Sequence, residues 1–416
     1  MRRGSKQYLL TTALLVLSPA LATADVVLDW NRILLTTIAA QNPFAQARFA
    51  AITQVAVFEA VNACTGESQP YLGTVYAPAG ASPEAAAVAA AHAVLKNYFP
   101  LAAATLDAAR AQSLAAIADG QPKYDGIAVG EAAAAAMILA RANDGATPAE
   151  TFLPPTTDPG VWQPTPPAFG PGALLHWRNL TLFGLASNDQ FRSDPPPALT
   201  SGRYTKAYQE VMTVGSVNSA SRPQDRTNVA RFFAAASAVY AWNGAVQQVS
   251  TAVGQSLPQN ARAFALLNMA ISDGLVASME TKYYYVLWRP VTAIRGGALD
   301  NNPQTTADVG WTPLVTTPSF PSYPSAHASA SYAARRVAEL LFGDAPAAFS
   351  LTHPAVPGVT LAYASFADLT TDIDDARVYG GIHFRFDQEA GGRQGRQVGS
   401  YVFQHHLVPV RGAADR

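Results

Sequence analysis

Alanine-rich runs with helical periodicity fill this chain from about Val27 to Asn143 and again after Arg203, and a proline-dense stretch from Asp144 to Pro197 interrupts them. Alanine is the best helix former and proline the worst, so this pattern predicts helices on either side of an irregular connection. Helices are expected near Pro83 to Tyr98, Leu101 to Ile117, Ile127 to Ala142, Asp225 to Ala241, Asn260 to Trp288, Ala326 to Phe342 and Gly391 to Gln404. The prolines at 154–155, 166–167 and 195–197 oppose helix, and so long an irregular stretch either wraps a domain, forms a pocket lid or stays disordered. With 416 residues, 49% of them hydrophobic and 14% charged, the chain can bury one extensive core or two fused bundles. Its net charge of −1 gives no general attraction to nucleic acid, so any local cationic cluster matters more than the global field.

Three segments near the C-terminus supply such a cluster. The first, KYYYVLWRP, holds Lys282 and Arg289 seven residues apart. On one helix they drift by only about 20° around the axis and sit roughly 10 Å apart along it, so both cations can face one anion. Pro290 predicts that this helix stops at Arg289. The second, FPSYPSAHASASY, turns from a loop into a helix with Ser325 as the expected N-cap, where the free amides of residues 326 and 327 suit an anion. His327 falls in that first turn, placed to exchange a proton with an apical oxygen. The third, ARVYGGIHFRFD, offers Arg377, His383 and, four residues on, Asp387 as the carboxylate that would orient the histidine. Arg377 is off their face in a continuous helix, and Gly380-Gly381 permits the bend that would bring it back.

In this order, the three segments resemble the superfamily of type 2 phosphatidic acid phosphatases and vanadium-dependent haloperoxidases. Its pattern of KxxxxxxRP, PSGH and SRxxxxxHxxxD is met by Lys282 to Pro290, by Pro324 to His327, and by Ala376 to Asp387. Softer similarity to secreted bacterial haloperoxidase-like proteins extends through VLDW at 27–30, FEAVNA at 58–63 and VWQPTPP at 161–167. The resemblance implies an all-α fold of helical bundles, a single domain over 25–416, and a site between helices of the C-terminal half. It implies that Lys282, Arg289 and Arg377 bind equatorial oxygens of vanadate or phosphate, assisted by Ser325 and the backbone amide of Ala326. His383 would be the axial vanadium ligand or the phosphorylated nucleophile, and His327 the acid-base group. Phe320 falls where chloroperoxidase-like members carry Phe and bromoperoxidase-like members His, which makes it the halide-site candidate. Two positions depart from the pattern: Ala326 replaces glycine and Ala376 replaces serine.

The implied function is a vanadate-dependent haloperoxidase, taking hydrogen peroxide, halide and a small organic acceptor. A phosphatase acting on phosphate esters through a phosphohistidine, and a noncatalytic oxyanion binder, are the alternatives. MRRGSKQYLLTTALLVLSPALATAD reads as a signal peptide cleaved after Ala24, predicting a periplasmic or secreted protein; an uncleaved anchor is the alternative. Lone Cys64 forms no internal disulfide. The acidic residues Asp372, Asp374 and Asp375 are expected to form a solvated cap before the third segment, and His405-His406 is too isolated for a zinc site.

Overall fold

The computed structural model describes residues 25–344 and 346–410, so the expected leader lies outside the described residues. Within them the chain forms thirteen α-helices and one two-stranded hairpin. The first five are α1 (Val26–Ile38), α2 (Pro43–Thr65), α3 (Pro83–Tyr98), α4 (Ala103–Ala115) and α5 (Gln121–Ala140). Their starts follow local chemistry: Asn42 and Ser82 accept from first-turn amides of α2 and α3, and proline occupies the first position of each. After the proline-dense strap come α6 (Gly202–Val214), α7 (Gln224–Ala235), α8 (Ala238–Val253), α9 (Leu257–Tyr285) and α10 (Pro290–Arg295). The chain ends with α11 (Ala326–Phe342), the hairpin β1 (Phe349–Thr352) and β2 (Thr360–Tyr363), then α12 (Phe366–Tyr379) and α13 (Arg385–His405). The fold is all-α in class.

Three local expectations are corrected. The run from Asp225 to Ala241 is two helices, because Ala236 turns extended and the Ser237 hydroxyl caps α8. Lys282 and Arg289 do not share a helix: α9 stops at Tyr285, where Val286 adopts a left-handed φ of 52° and its amide returns to the Lys282 carbonyl. The acidic residues lie inside α12 rather than in a cap, with Asp372 and Asp375 paired to Arg226 and Asp374 accepting from the Tyr332 hydroxyl. The hairpin has no counterpart in the sequence reading; its strands are only four residues each.

Helix α9 runs through the centre, and nearly all of its residues from Asn260 to Met279 are buried. Against it pack α2 on one side and the α11–α13 pair on the other. That pair approaches closely because α13 presents Gly391, Gly395 and Gly399 to α11. An added Cβ at these positions would fall 2.6, 2.3 and 2.4 Å from the Ser325, Ser329 and Ala333 carbonyl oxygens. Spacing by four keeps the three glycines on one face, and their contact locks the start of α11 beside the start of α13.

The strap holds the segment after α9 in place. Trp162 donates its amide to the Val286 carbonyl at 2.7 Å, and Trp288 donates to the Gly160 carbonyl at 2.9 Å. Asp273, fully buried on α9, accepts from the amides of Phe183, Gly184 and Leu185, fixing the far end of the strap to the central helix. A main apolar core surrounds α9, and a smaller aromatic one contains Tyr204, Trp288, Tyr323, Phe384 and Phe386. The three cation-bearing segments lie where these two cores meet. Among the described residues, no helix is long and apolar enough to cross a membrane.

Candidate oxyanion site

Lys282, Arg289 and Arg377 are all buried, with relative exposures of 0, 0 and 4%. Removing an ion from water costs several kcal/mol even after relaxation, so each needs strong compensation. The Lys282 ammonium donates to the main-chain carbonyls of Pro321 and Ser322 at 2.9 and 2.7 Å, leaving one of its three protons free. Arg289 donates through Nε to the Phe320 carbonyl and through Nη1 to the Ile382 carbonyl, both at 2.8 Å. Its Nη2 has no partner. Arg377 donates through Nη1 to the Phe233 carbonyl at 2.8 Å, while its Nε has none. The Phe320 ring covers the other two cations, 5.3 Å from the Lys282 ammonium and 5.0 Å from the Arg289 guanidinium carbon.

Burial and mutual repulsion show in the acidities. Lys282 is pushed well below its ordinary value by burial and then by Arg289. Burial also lowers Arg289, to about 9, and Arg377, to about 10.

His383 occupies the turn between α12 and α13, after Gly381 with φ 79°. An added Cβ at Gly381 would meet the Gly215 carbonyl oxygen at 2.4 Å, so glycine serves both the turn and the close approach. The His383 Nδ1 lies 2.7 Å from Asp387 Oδ2, and its Nε2 lies 3.0 Å from Arg289 Nη1. Since guanidinium only donates and the carboxylate only accepts, these contacts assign the proton to Nδ1 and leave a lone pair on Nε2. Burial, followed by Arg289, Lys282 and Arg377, lowers the His383 pKa and keeps the ring neutral. Asp387 reaches His383 from the first turn of α13, where its Oδ2 also accepts the Phe384 amide at 3.1 Å. Their spacing of four is thus bridged around a helix start, not along a helix face.

Ser325 caps α11, accepting from the Ala328 amide at 3.4 Å, and its own amide donates to the Asp387 carbonyl at 2.9 Å. The amides of Ala326 and His327 stand at the open N-terminal turn. Ala326 lies in the helix proper, so the methyl that replaces glycine is not forced into left-handed backbone. Ala376 is wholly buried in α12, where no hydroxyl is available. His327 is half-buried, and its pKa is lowered by burial and then by Arg377, with Lys282 and Arg289 adding to the effect.

The donor set fits a tetrahedral oxyanion. Two buried guanidinium nitrogens lack partners, one ammonium proton is free, and the helix amides are open. Asp387, the carboxylate within this cluster, is already bound to His383. Such an excess of buried positive charge and unspent donors is costly by itself and is relieved by an anion.

Sequence reasoning missed Ser322 and the main-chain carbonyls of 320–322 and 382. Carbonyls carry no sequence signal, and Ser322 sits among prolines where serine reads as a turn former. The Tyr283 to Tyr285 run divides: Tyr283 is buried and donates its hydroxyl to the Ala173 carbonyl, whereas Tyr284 is 57% exposed.

Comparison with known proteins accords with this geometry. A family model described as the second helical-bundle domain of VCPO matches residues 262–412, the part containing all three segments. A bacterial vanadium-dependent iodoperoxidase structure superposes with a TM-score of 0.78 at 25% identity, covering 93% of this chain and 97% of its own. The family match covers the C-terminal part of the chain, and the likeness in fold to a vanadium haloperoxidase extends over nearly all of it. The holo form of a bacterial vanadium-dependent chloroperoxidase shares the fold, with a TM-score of 0.71 at 16% identity, covering 89% of this chain and 93% of its own. Its apo form gives 0.70 at 16%, covering 88% and 94%. No curated protein matches the sequence. The solved structures that share this fold are thus named for two different halides.

Proposed function

We propose that this protein is an exported vanadate-dependent haloperoxidase that uses hydrogen peroxide to oxidise halide to hypohalous acid, which a small organic acceptor can then consume. The observation that carries the reading is the pair of unpartnered buried donors, Arg289 Nη2 and Arg377 Nε, beside a neutral His383 whose Nε2 lone pair faces the Arg289 guanidinium. Vanadate, when bound, supplies a Lewis-acidic centre that activates peroxide towards halide.

The chain's own residues prepare that chemistry. Lys282, Arg289 and Arg377 hold oxyanion oxygens and draw electron density away from them, with the Ser325 hydroxyl and the Ala326 amide as further donors. His383 presents Nε2 as the ligand, its ring fixed by Asp387 on Nδ1. Arg289 Nη1 donates to Nε2 in this structure, and a group held by His383 would take the place of that contact. His327, held neutral by its surroundings, accepts a proton on a ring nitrogen and returns it. Phe320 excludes water over the cations and forms a wall of the halide site. Export rests on the leader at 1–24.

The same neutral histidine and cations also suit transfer of a phosphoryl group to His383 with hydrolysis of the phosphohistidine. A paired assay separates the readings. After titration with vanadate, peroxide-dependent halogenation of a phenol dye and hydrolysis of a chromogenic phosphate ester are measured. Halogenation is expected. Ester turnover lost in His383→Ala, with no halogenation, would establish the phosphatase, and binding without turnover would leave a noncatalytic binder.

A further inference from the structure

We propose that Ser322 is a positioning residue: its hydroxyl pins the Asp387 carboxylate and, through it, the tautomer and orientation of His383. The hydroxyl donates to Asp387 Oδ2 at 2.6 Å and lies 3.4 Å from His383 Nδ1, and the serine has no exposed surface. The other polar groups of Ser322 are also engaged. Its amide donates to the Leu287 carbonyl at 2.9 Å, and its carbonyl accepts from Lys282 Nζ at 2.7 Å. One residue of the second segment therefore bonds twice to the first and once to the third. Like Arg289, which bonds to Phe320 and Ile382, it ties all three segments together.

The hydroxyl has a task that the main-chain bonds cannot perform. Asp387 Oδ2 takes three donors, namely the Ser322 hydroxyl, the Phe384 amide and His383 Nδ1, whereas its Oδ1 has none. The carboxylate is consequently held by one oxygen and could swing about it. The amide and the serine hydroxyl approach that oxygen from separate segments and fix it where the Nδ1 proton must point. Without the hydroxyl, the carboxylate is free to offer Oδ1, and the proton on His383 loses its defined partner. The tautomer protonated on Nε2, then opposed chiefly by the Arg289 Nη1 donor, gains population, and it cannot offer a lone pair to an oxyanion centre.

The affinity arm of the test rests on the oxyanion reading, whereas the spectroscopic arm does not. Ser322→Ala is compared with wild type, with Ser322→Thr, and with Ser331→Ala, which removes a buried hydroxyl that has no partner. Protein labelled with 15N-histidine reports the His383 tautomer directly, the signal being assigned with His383→Gln, and phosphate titration reports affinity. Wild type is expected to show a single form protonated on Nδ1. Ser322→Ala is expected to show a tautomer mixture and about tenfold weaker phosphate binding, the lower end of what losing an orienting partner costs. Ser322→Thr should restore both, and Ser331→Ala should change neither. Should the threonine not be accommodated, Asp387→Asn serves instead, because Ser322→Ala should add nothing further in that background. An unaltered His383 signal in Ser322→Ala would overturn the proposal, as would the same change in Ser331→Ala. Failure of wild type to bind phosphate would sink the oxyanion reading, leaving the 15N signal to decide the role of Ser322.

Discussion

A lysine ammonium with no exposed surface and only two main-chain carbonyls as partners is poorly compensated until something negative adjoins it. Lys282→Met keeps the length of the side chain and removes its charge. The variant should melt at a higher temperature than wild type without ligand, because the cost of burying the ion disappears. It should bind vanadate ~10–100-fold more weakly, since a hydrogen bond to a charged group contributes about 1.5–3 kcal/mol and each 1.4 kcal/mol is about tenfold. A lower melting point with undiminished affinity would make Lys282 a structural residue. The histidines give a prediction of opposite sense on acidification. His327 and His383 have folded pKa values below their ordinary 6.5. Between those depressed values and 6.5 the unfolded chain binds protons that the folded one refuses, so stability rises with pH across that range and is lost as pH falls. His327→Gln should flatten this slope in ligand-free melts from pH 4 to 7, and an unchanged slope would place the acid sensitivity elsewhere.

At the scale of elements, α11 and α13 bring the second and third segments together through glycine contacts. Gly395→Ala would put a methyl 2.3 Å from the Ser329 carbonyl, against backbone that cannot rotate away. A cost of about 1–3 kcal/mol is expected for such overpacking, with weaker vanadate binding because the Ser325–Asp387 link moves too. Gly202→Ala, with open space around its site, is the control in thermal melts and titrations. The cations and histidines were legible in sequence because their chemistry depends on residue type and order. How they meet was less so. Lys282 and Arg289 read as one helix face, but the chain breaks at Val286, a residue whose composition gives no warning of a left-handed turn. The strap's pairing to Val286 supplies the reason, and it is a long-range contact. Alanine periodicity marked most helices, including α3 and α11, yet merged α7 with α8 because Ala236 and Ser237 are as compatible with continuation as with a cap.

For the whole molecule, the strap is the part whose sequence said least and whose placement matters most to the first segment. It has little regular structure of its own, so its order depends on anchors such as Asp273, whose buried carboxylate satisfies three consecutive amides. Asp273→Asn keeps the shape but removes one acceptor oxygen and the charge. It should lower stability by about 1.5–3 kcal/mol and open residues 144–197 to limited proteolysis. If cleavage there stayed as slow as in wild type, the strap would be held by its other contacts. The two apolar cores then flank a buried positive cluster in a chain whose net charge is only −1, so anion capture depends on local geometry and not on the overall field.

The convergence of Lys282, Arg289, Ser325, His327, Arg377 and His383 on one anion is tested most directly by calorimetric titration of the full chain with orthovanadate, repeated in competition with phosphate. One vanadate per chain is predicted, displaced competitively by phosphate and lost in His383→Ala. No saturable binding, or binding that His383→Ala and Arg289→Ala leave intact, would contradict it.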